Sequence, residues 1–126
     1  MSVTTDIRKG VRMDIEARKG ATFTRQYHAQ VYSGSTLIDY DLEVWTGATI
    51  EVRRKPNSPV IELSFSTTDS TITLGTEGRF ILALDYDTMD KIRAGEYVYD
   101  MYLSNASTPK RDFVYGNFTI YDKITR

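Results

Sequence analysis

Apolar and polar side chains alternate with a period of two along most of this chain, the pattern of strands with one buried face. The clearest run is residues 97–103, where Tyr97, Tyr99, Met101 and Leu103 alternate with Val98, Asp100 and Tyr102. Ala94-Gly95 precedes it and closes a short helical turn over residues 88–92, for which Asp87 or Thr88 is the expected cap. Val11, Met13, Ile15 and Ala17 form an earlier apolar face, ended by Lys19-Gly20. Phe23, Tyr27, Ala29 and Val31 form the next, interrupted by Arg25, which implies an edge strand or a partner for the guanidinium. Ser33-Gly34-Ser35 reads as a turn, and residues 37–47 as an irregular crossing anchored by Leu42 and Trp45.

The second half repeats the pattern. Ala48, Ile50 and Val52 face one way, before a loop in which Pro56 and Pro59 forbid a central strand. Ile61, Leu63 and Phe65 are expected inward, and residues 71–74 and 80–84 supply two strands of a hairpin turning at Gly75-Thr76-Glu77-Gly78. The closing strand, residues 112–122, places Val114, Gly116, Phe118 and Ile120 on one face. Phe113, Tyr115, Asn117, Thr119 and Tyr121 fall on the other. About seven to eight short strands at roughly 8–12-residue spacing predict an all-β, immunoglobulin-like antiparallel β-sandwich with one short helical turn. Tyr97, placed just after that turn, is the expected tyrosine corner, with its ring buried and its hydroxyl bonded to backbone between Ile92 and Gly95. The expected core is Ile15, Phe23, Ile50, Val52, Phe80, Leu82, Leu84, Tyr99, Met101, Phe118 and Ile120.

At 126 residues the chain is one domain's worth. Residues 11–126 are assigned to the sandwich, and residues 1–10, polar and unpatterned, to a flexible N-terminal arm of the kind that orders on assembly. Cysteine is absent, which excludes disulfides, thiolate metal sites and cysteine nucleophiles. A formal net charge of -1 lacks the basic field that attracts phosphate backbones, so no nucleic-acid partner is expected. No run approaches the roughly 20 apolar residues of a membrane helix, and the N-terminus lacks the apolar stretch of a secretory signal, so synthesis in the cytoplasm and no membrane partner are expected.

Candidate chemistry is sparse. The single histidine, His28, lies in a strand and reads as a surface residue. No nucleophile, zinc or phosphate-loop motif is present, so no enzyme activity and no cofactor are expected. Asp85, Asp87 and Asp90 match no calcium-loop spacing and read as capping and solvated groups. Arg53-Arg54-Lys55 reads as a solvated strand end, because no aromatic platform accompanies it. Asn105-Ala-Ser and Asn117-Phe-Thr fit a glycosylation sequon but lack the secretory context that would give it meaning. The aromatic surplus is more informative. The last two strands carry Tyr97, Tyr99, Tyr102, Phe113, Tyr115, Phe118 and Tyr121 on both faces, and one face alone can enter the core. Tyr102, Phe113, Tyr115 and Tyr121 are therefore candidate interface residues, with ordinary exposed strand tyrosine as the competing reading.

Several stretches taken in order resemble the immunoglobulin-like N-terminal domain of phage upper-baseplate and tail-fibre proteins. Ile15-Glu-Ala-Arg-Lys-Gly20-Ala-Thr-Phe23 is similar to that family's opening strand, turn and second strand. Trp45-Thr-Gly47-Ala48-Thr-Ile50-Glu-Val52-Arg53 resembles its T-G-A-T strand, with Trp45 where Leu is usual. Gly78-Arg-Phe80-Ile-Leu82 followed by Ala94-Gly95-Glu96-Tyr97-Val-Tyr99-Asp100-Met101 resembles its G-x-F and A-G-x-Y-x-Y-D segment. Gly116-Asn-Phe118-Thr-Ile120 and Ile124-Thr125-Arg126 resemble its ending. The resemblance spans residues 12–126 and implies a non-enzymatic virion structural protein that docks onto other virion proteins, as a baseplate, tail or fibre adaptor or a capsid decoration. In that family the module precedes a fibre or receptor-binding part, whereas this sequence ends at Arg126, so a stand-alone component is expected, oligomeric in the particle. A carbohydrate-binding module recognising a host glycan is the alternative, since exposed aromatics on a sandwich serve that purpose as well.

Overall fold

A computed structural model describes residues 11–122, so the arm assigned to residues 1–10 and the terminal Ile124-Thr125-Arg126 lie outside the described residues. The chain forms β1 (Val11–Arg12), β2 (Ile15–Arg18), β3 (Phe23–His28), β4 (Gln30–Ser33), β5 (Thr36–Asp39) and β6 (Gly47–Arg53). There follow β7 (Leu63–Ser66), β8 (Ile72–Leu74), β9 (Arg79–Leu84), α1 (Tyr86–Lys91), β10 (Gly95–Ser104) and β11 (Arg111–Tyr121). The larger sheet runs β1-β11-β10-β6-β7, with β2 also on β11; the smaller runs β3-β9-β8; β4 and β5 form a separate hairpin. This is an immunoglobulin-like β-sandwich, in which β3, β9 and β8 oppose β6, β10 and β11.

The alternation read from the sequence becomes burial where the sheets face each other. Phe23 of β3 meets Phe65 and Phe118 of the larger sheet, each at 6.1 Å between ring centroids, and Phe80 of β9 meets Phe113 at 5.6 Å. All eleven expected core residues are buried, joined by Tyr27, Leu42, Phe65, Met89 and others. Each large apolar side chain so buried contributes roughly 1.5–3 kcal/mol relative to exposure. Arg25 lies on β3, an edge strand, where its guanidinium covers the Phe23 ring at 4.9 Å and donates to the Glu16 carbonyl at 3.4 Å. It therefore ties the two sheets together at their open side.

Five features depart from the sequence reading. The sandwich is not wholly antiparallel, because β1 and β2 run parallel to β11 before the chain crosses to the smaller sheet as β3. The opening run is also split at Met13-Asp14, a kink held by several bonds. The Met13 N–H donates to the Tyr115 carbonyl at 2.7 Å, the Tyr99 hydroxyl donates to the Met13 carbonyl, and Asp14 Oδ1 accepts from the Asn117 N–H at 2.9 Å. This crossing passes so close to β11 that a Cβ on Gly116 would lie 2.5 Å from the Met13 carbonyl oxygen, so a side chain there forces backbone to move.

The helix begins at Tyr86, two residues earlier than expected, because Asp85 is its cap: Asp85 Oδ1 accepts from the Thr88 N–H at 2.8 Å. That bond to an orphan helix N–H holds the Asp85 carboxyl below its ordinary pKa. Ile61, expected inward, is 43% exposed, since pairing with β6 starts at Leu63↔Val52 and leaves Ile61 outside the ladder. Finally, residues 30–39 form a hairpin around the Ser33-Gly34-Ser35 turn instead of continuing β3 into an irregular crossing.

Candidate functional site

The expected interface tyrosines lie on the outward side of the larger sheet. Their orientation follows from register: Tyr97, Tyr99, Met101 and Leu103 fill the interior positions of β10, so Val98, Asp100 and Tyr102 point away from the smaller sheet. On β11, Tyr115 lies opposite Asp100 and Asn117 opposite Val98, which places both on the same outward face. Tyr115 and Tyr121 are 49% and 43% exposed. They are six residue steps apart, a span of about 20 Å along β11.

Phe113 does not belong to this face and is corrected here to a core residue, 1% exposed. The β10–β11 register shifts between Met101 and Tyr102: Met101 pairs with Val114, whereas Tyr102 pairs with Asp112. Phe113 is the extra residue of the resulting bulge, so Phe113 and Val114 both turn inward, and Phe113 packs on Phe80 and Tyr40. Tyr102 is half-buried, its ring covered by the Lys110 ammonium at 4.7 Å from the centroid. The structure thus leaves Tyr115 and Tyr121 open, partly covers Tyr102, and removes Phe113.

Around these tyrosines the face is polar and several of its charges are paired. The Tyr121 hydroxyl donates to Glu16 Oε2 at 3.1 Å, which raises its pKa, and the Arg18 guanidinium lies 5.6 Å from the ring centroid. Arg53 bridges Glu51 at 2.8 Å and Asp100 at 3.5 Å, and Arg12 meets Asp14 at 3.4 Å. Over β10 and β11 this face holds an open groove of about 380 Å3, whose lining includes Arg12, Pro56, Val98, Asp100, Tyr115 and Asn117. The arrangement offers an aromatic plane, one apolar patch and several hydrogen-bonding groups. These are means of recognition.

Tyr97 is buried, and its hydroxyl donates to the Arg93 carbonyl at 2.6 Å, inside the backbone window expected of a tyrosine corner. It fixes the chain between α1 and β10 and is not an exposed binding residue. His28 is engaged on β3: its Nε2 lies 2.6 Å from Asp39 Oδ1, and Gln30 donates to the same oxygen at 3.3 Å. Among the described residues no cluster of three or more His, Asp or Glu is placed to hold a metal ion. Of the acidic group on the helix, Asp85 serves as the cap and Asp90 Oδ1 accepts from the Gly20 N–H at 2.9 Å. No helix among the described residues is long and apolar enough to cross a membrane.

Sequence reasoning missed a second exposed set. Tyr32 and Ile38 stand out from the β4–β5 hairpin, and Val44, Val60 and Ile61 from the loops on either side of β6. The available signal was the Ser33-Gly34-Ser35 turn with apolar pairs on both flanks, which is a hairpin pattern in its own right.

No family model and no curated protein matches the sequence. Among solved structures, the chain is similar to CopC from Methylosinus trichosporium OB3b at 8% identity and a TM-score of 0.41, over 89% of each chain. It is also similar to an endo-beta-1,4-mannanase from Thermotoga petrophila at 13% identity and a TM-score of 0.42, over 91% of this chain and 18% of that one. Neither likeness bears on what this chain binds.

Proposed function

We propose that this protein is a non-enzymatic phage virion component that docks onto other virion proteins through the outward face of its larger sheet. The observation that carries the reading is the exposure of Tyr115 and Tyr121 on a wide paired sheet, several of whose charges are already matched within the face. Tyrosine provides large contact area with few rotatable bonds and a polar tip, which suits a surface that is wet before assembly and covered afterwards. The paired charges lower the desolvation cost of covering them, because each retains a partner in the assembled state. The ordered resemblance of residues 12–126 to the phage baseplate and fibre domain supports the same reading.

Hydroxyl-radical footprinting of the free protein beside purified particles of the encoding phage tests it. Tyr115 and Tyr121 should be oxidised in the free protein and protected in the particle. Equal labelling in both states, or absence of the protein from purified particles, would overturn the reading.

The groove beside Tyr115 favours a second reading, a glycan-binding module. Asp100, Asn117 and Arg12 surround an aromatic ring there, which suits sugar hydroxyls and an apolar sugar face. Saturable binding of soluble oligosaccharides that is lost in Tyr115→Ala, with no protein in particles, would select this alternative.

A further inference from the structure

A second concavity lies at the α1 end of the sandwich, on residues separate from the docking face. It has a volume of about 520 Å3 and is lined chiefly by Arg54, Glu62, Thr88, Lys91, Arg93 and Tyr97. Three cations therefore share one pocket with a single carboxylate. They come from two distant parts of the chain: Arg54 from the segment after β6, and Lys91 and Arg93 from the end of α1 and the connection into β10.

The pocket is partly rigid. Arg54 is held between the Glu62 carboxylate, 3.9 Å from its Nε, and the Tyr97 ring, whose centroid is 5.2 Å from the guanidinium carbon. The backbone that carries Arg93 is pinned by the Tyr97 hydroxyl on its carbonyl and by the Ile92 N–H donating to the Met89 carbonyl at 3.4 Å. Lys91 and Arg93 differ from Arg54 in their pairing. Among the described residues neither has a carboxylate within ion-pair distance. Of the helix carboxylates, Asp85 accepts from the Thr88 N–H and feels the Lys91 charge only beyond ion-pair distance, and Asp90 accepts from the Gly20 N–H. On a chain whose net charge is -1, such a local excess of positive charge in a concave site concentrates anions.

We propose that this pocket binds an oxyanion, a phosphate or a carboxylate, between Arg54, Lys91 and Arg93. Planar guanidinium groups match such ligands through paired N–H donors, and the lysine adds a point charge. The inference is independent of the docking reading, so either stands if the other fails.

The experiment is a titration of the 15N-labelled full chain, followed by amide shifts, with inorganic phosphate and separately with a tetraglutamate peptide. Sodium chloride at matched ionic strength is the reference. At least one probe should give saturable shifts confined to the amides around residues 54, 62–63 and 88–97. A phosphate-only response marks a small-anion site, and a peptide response marks a site for acidic protein segments; both support the proposal. Lys91→Gln combined with Arg93→Gln should weaken the responding probe by about tenfold or more, the loss expected when charge-assisted contacts are removed. Both side chains are exposed, so the fold should persist; if the spectrum changes globally, Lys91→Gln alone serves. No saturable shift beyond the chloride reference with either probe, or an unchanged response in the variants, overturns the proposal.

Discussion

The β10–β11 ladder and the β4–β5 hairpin are both antiparallel pairs built from alternating sequence, yet only the first converts that alternation into a core. In the ladder, Tyr97 pairs with Phe118 and Met101 with Val114 on a face that the smaller sheet covers, and all four are buried. In the hairpin, Val31 pairs with Ile38 and Tyr32 with Leu37, one apolar pair on each face, and neither pair is fully covered. A two-stranded pair has little independent stability in water. The hairpin is held by its base, where the Tyr40 N–H donates to the Ala29 carbonyl at 3.0 Å and the Ala29 N–H to the Gly78 carbonyl at 2.8 Å. Pattern proposes a buried face; a second layer of structure decides whether it becomes one.

The largest expected effect lies in the ladder. Phe118→Ala removes a ring that touches Phe23, Phe65 and Tyr99 and should destabilise the fold by about 3–5 kcal/mol, read from urea unfolding. A loss as small as that of a hairpin surface substitution would erase the contrast between the two regions.

Tyr97→Phe keeps the ring and deletes the hydroxyl on the Arg93 carbonyl. It should cost about 0.5–1.5 kcal/mol, the net worth of one hydrogen bond. An unchanged unfolding midpoint would show that the corner is held by ring packing alone.

Ile38→Ser tests the other side of the comparison. With Ile38 exposed, the change should stay within about 0.5 kcal/mol of the parent. A loss comparable to that of Tyr97→Phe would mean that the hairpin is packed more tightly than its exposure indicates.

The smallest effect is a dependence on pH at the hairpin base. The bond from His28 lowers the pKa of Asp39, so ionised Asp39 binds its proton less readily in the folded protein than in the unfolded chain. The resulting stabilisation is fully present above the unfolded aspartate pKa of about 3.9 and fades as pH falls through the lower folded value. Thermal midpoints of the parent and Asp39→Asn should therefore differ slightly near neutral pH and converge as the solution is taken below about pH 4. A gap that is constant down to pH 2 would remove Asp39 ionisation as its cause.

The sequence by itself determined the strand faces wherever the period of two was unbroken. Ile50 and Val52, Phe80, Leu82 and Leu84, and Tyr99 and Met101 were legible because each strand has one dry side, and a shift by one residue would expose all of its apolar groups. The backbone bond of Tyr97 was legible for a local reason, since Arg93 is four residues away in the same connection. What only the tertiary structure decided depends on pairing between distant segments. The bulge that draws Phe113 inward is a mismatch of register between β10 and β11, invisible in either strand alone. The parallel placement of β1 and β2 on β11, and with it the need for glycine at position 116, arises where residues about a hundred positions apart touch. Of the candidate interface, Tyr115 and Tyr121 were read from local alternation, whereas the cationic pocket of Arg54, Lys91 and Arg93 was not, because charge convergence has no period along the chain and forms only when separate loops meet.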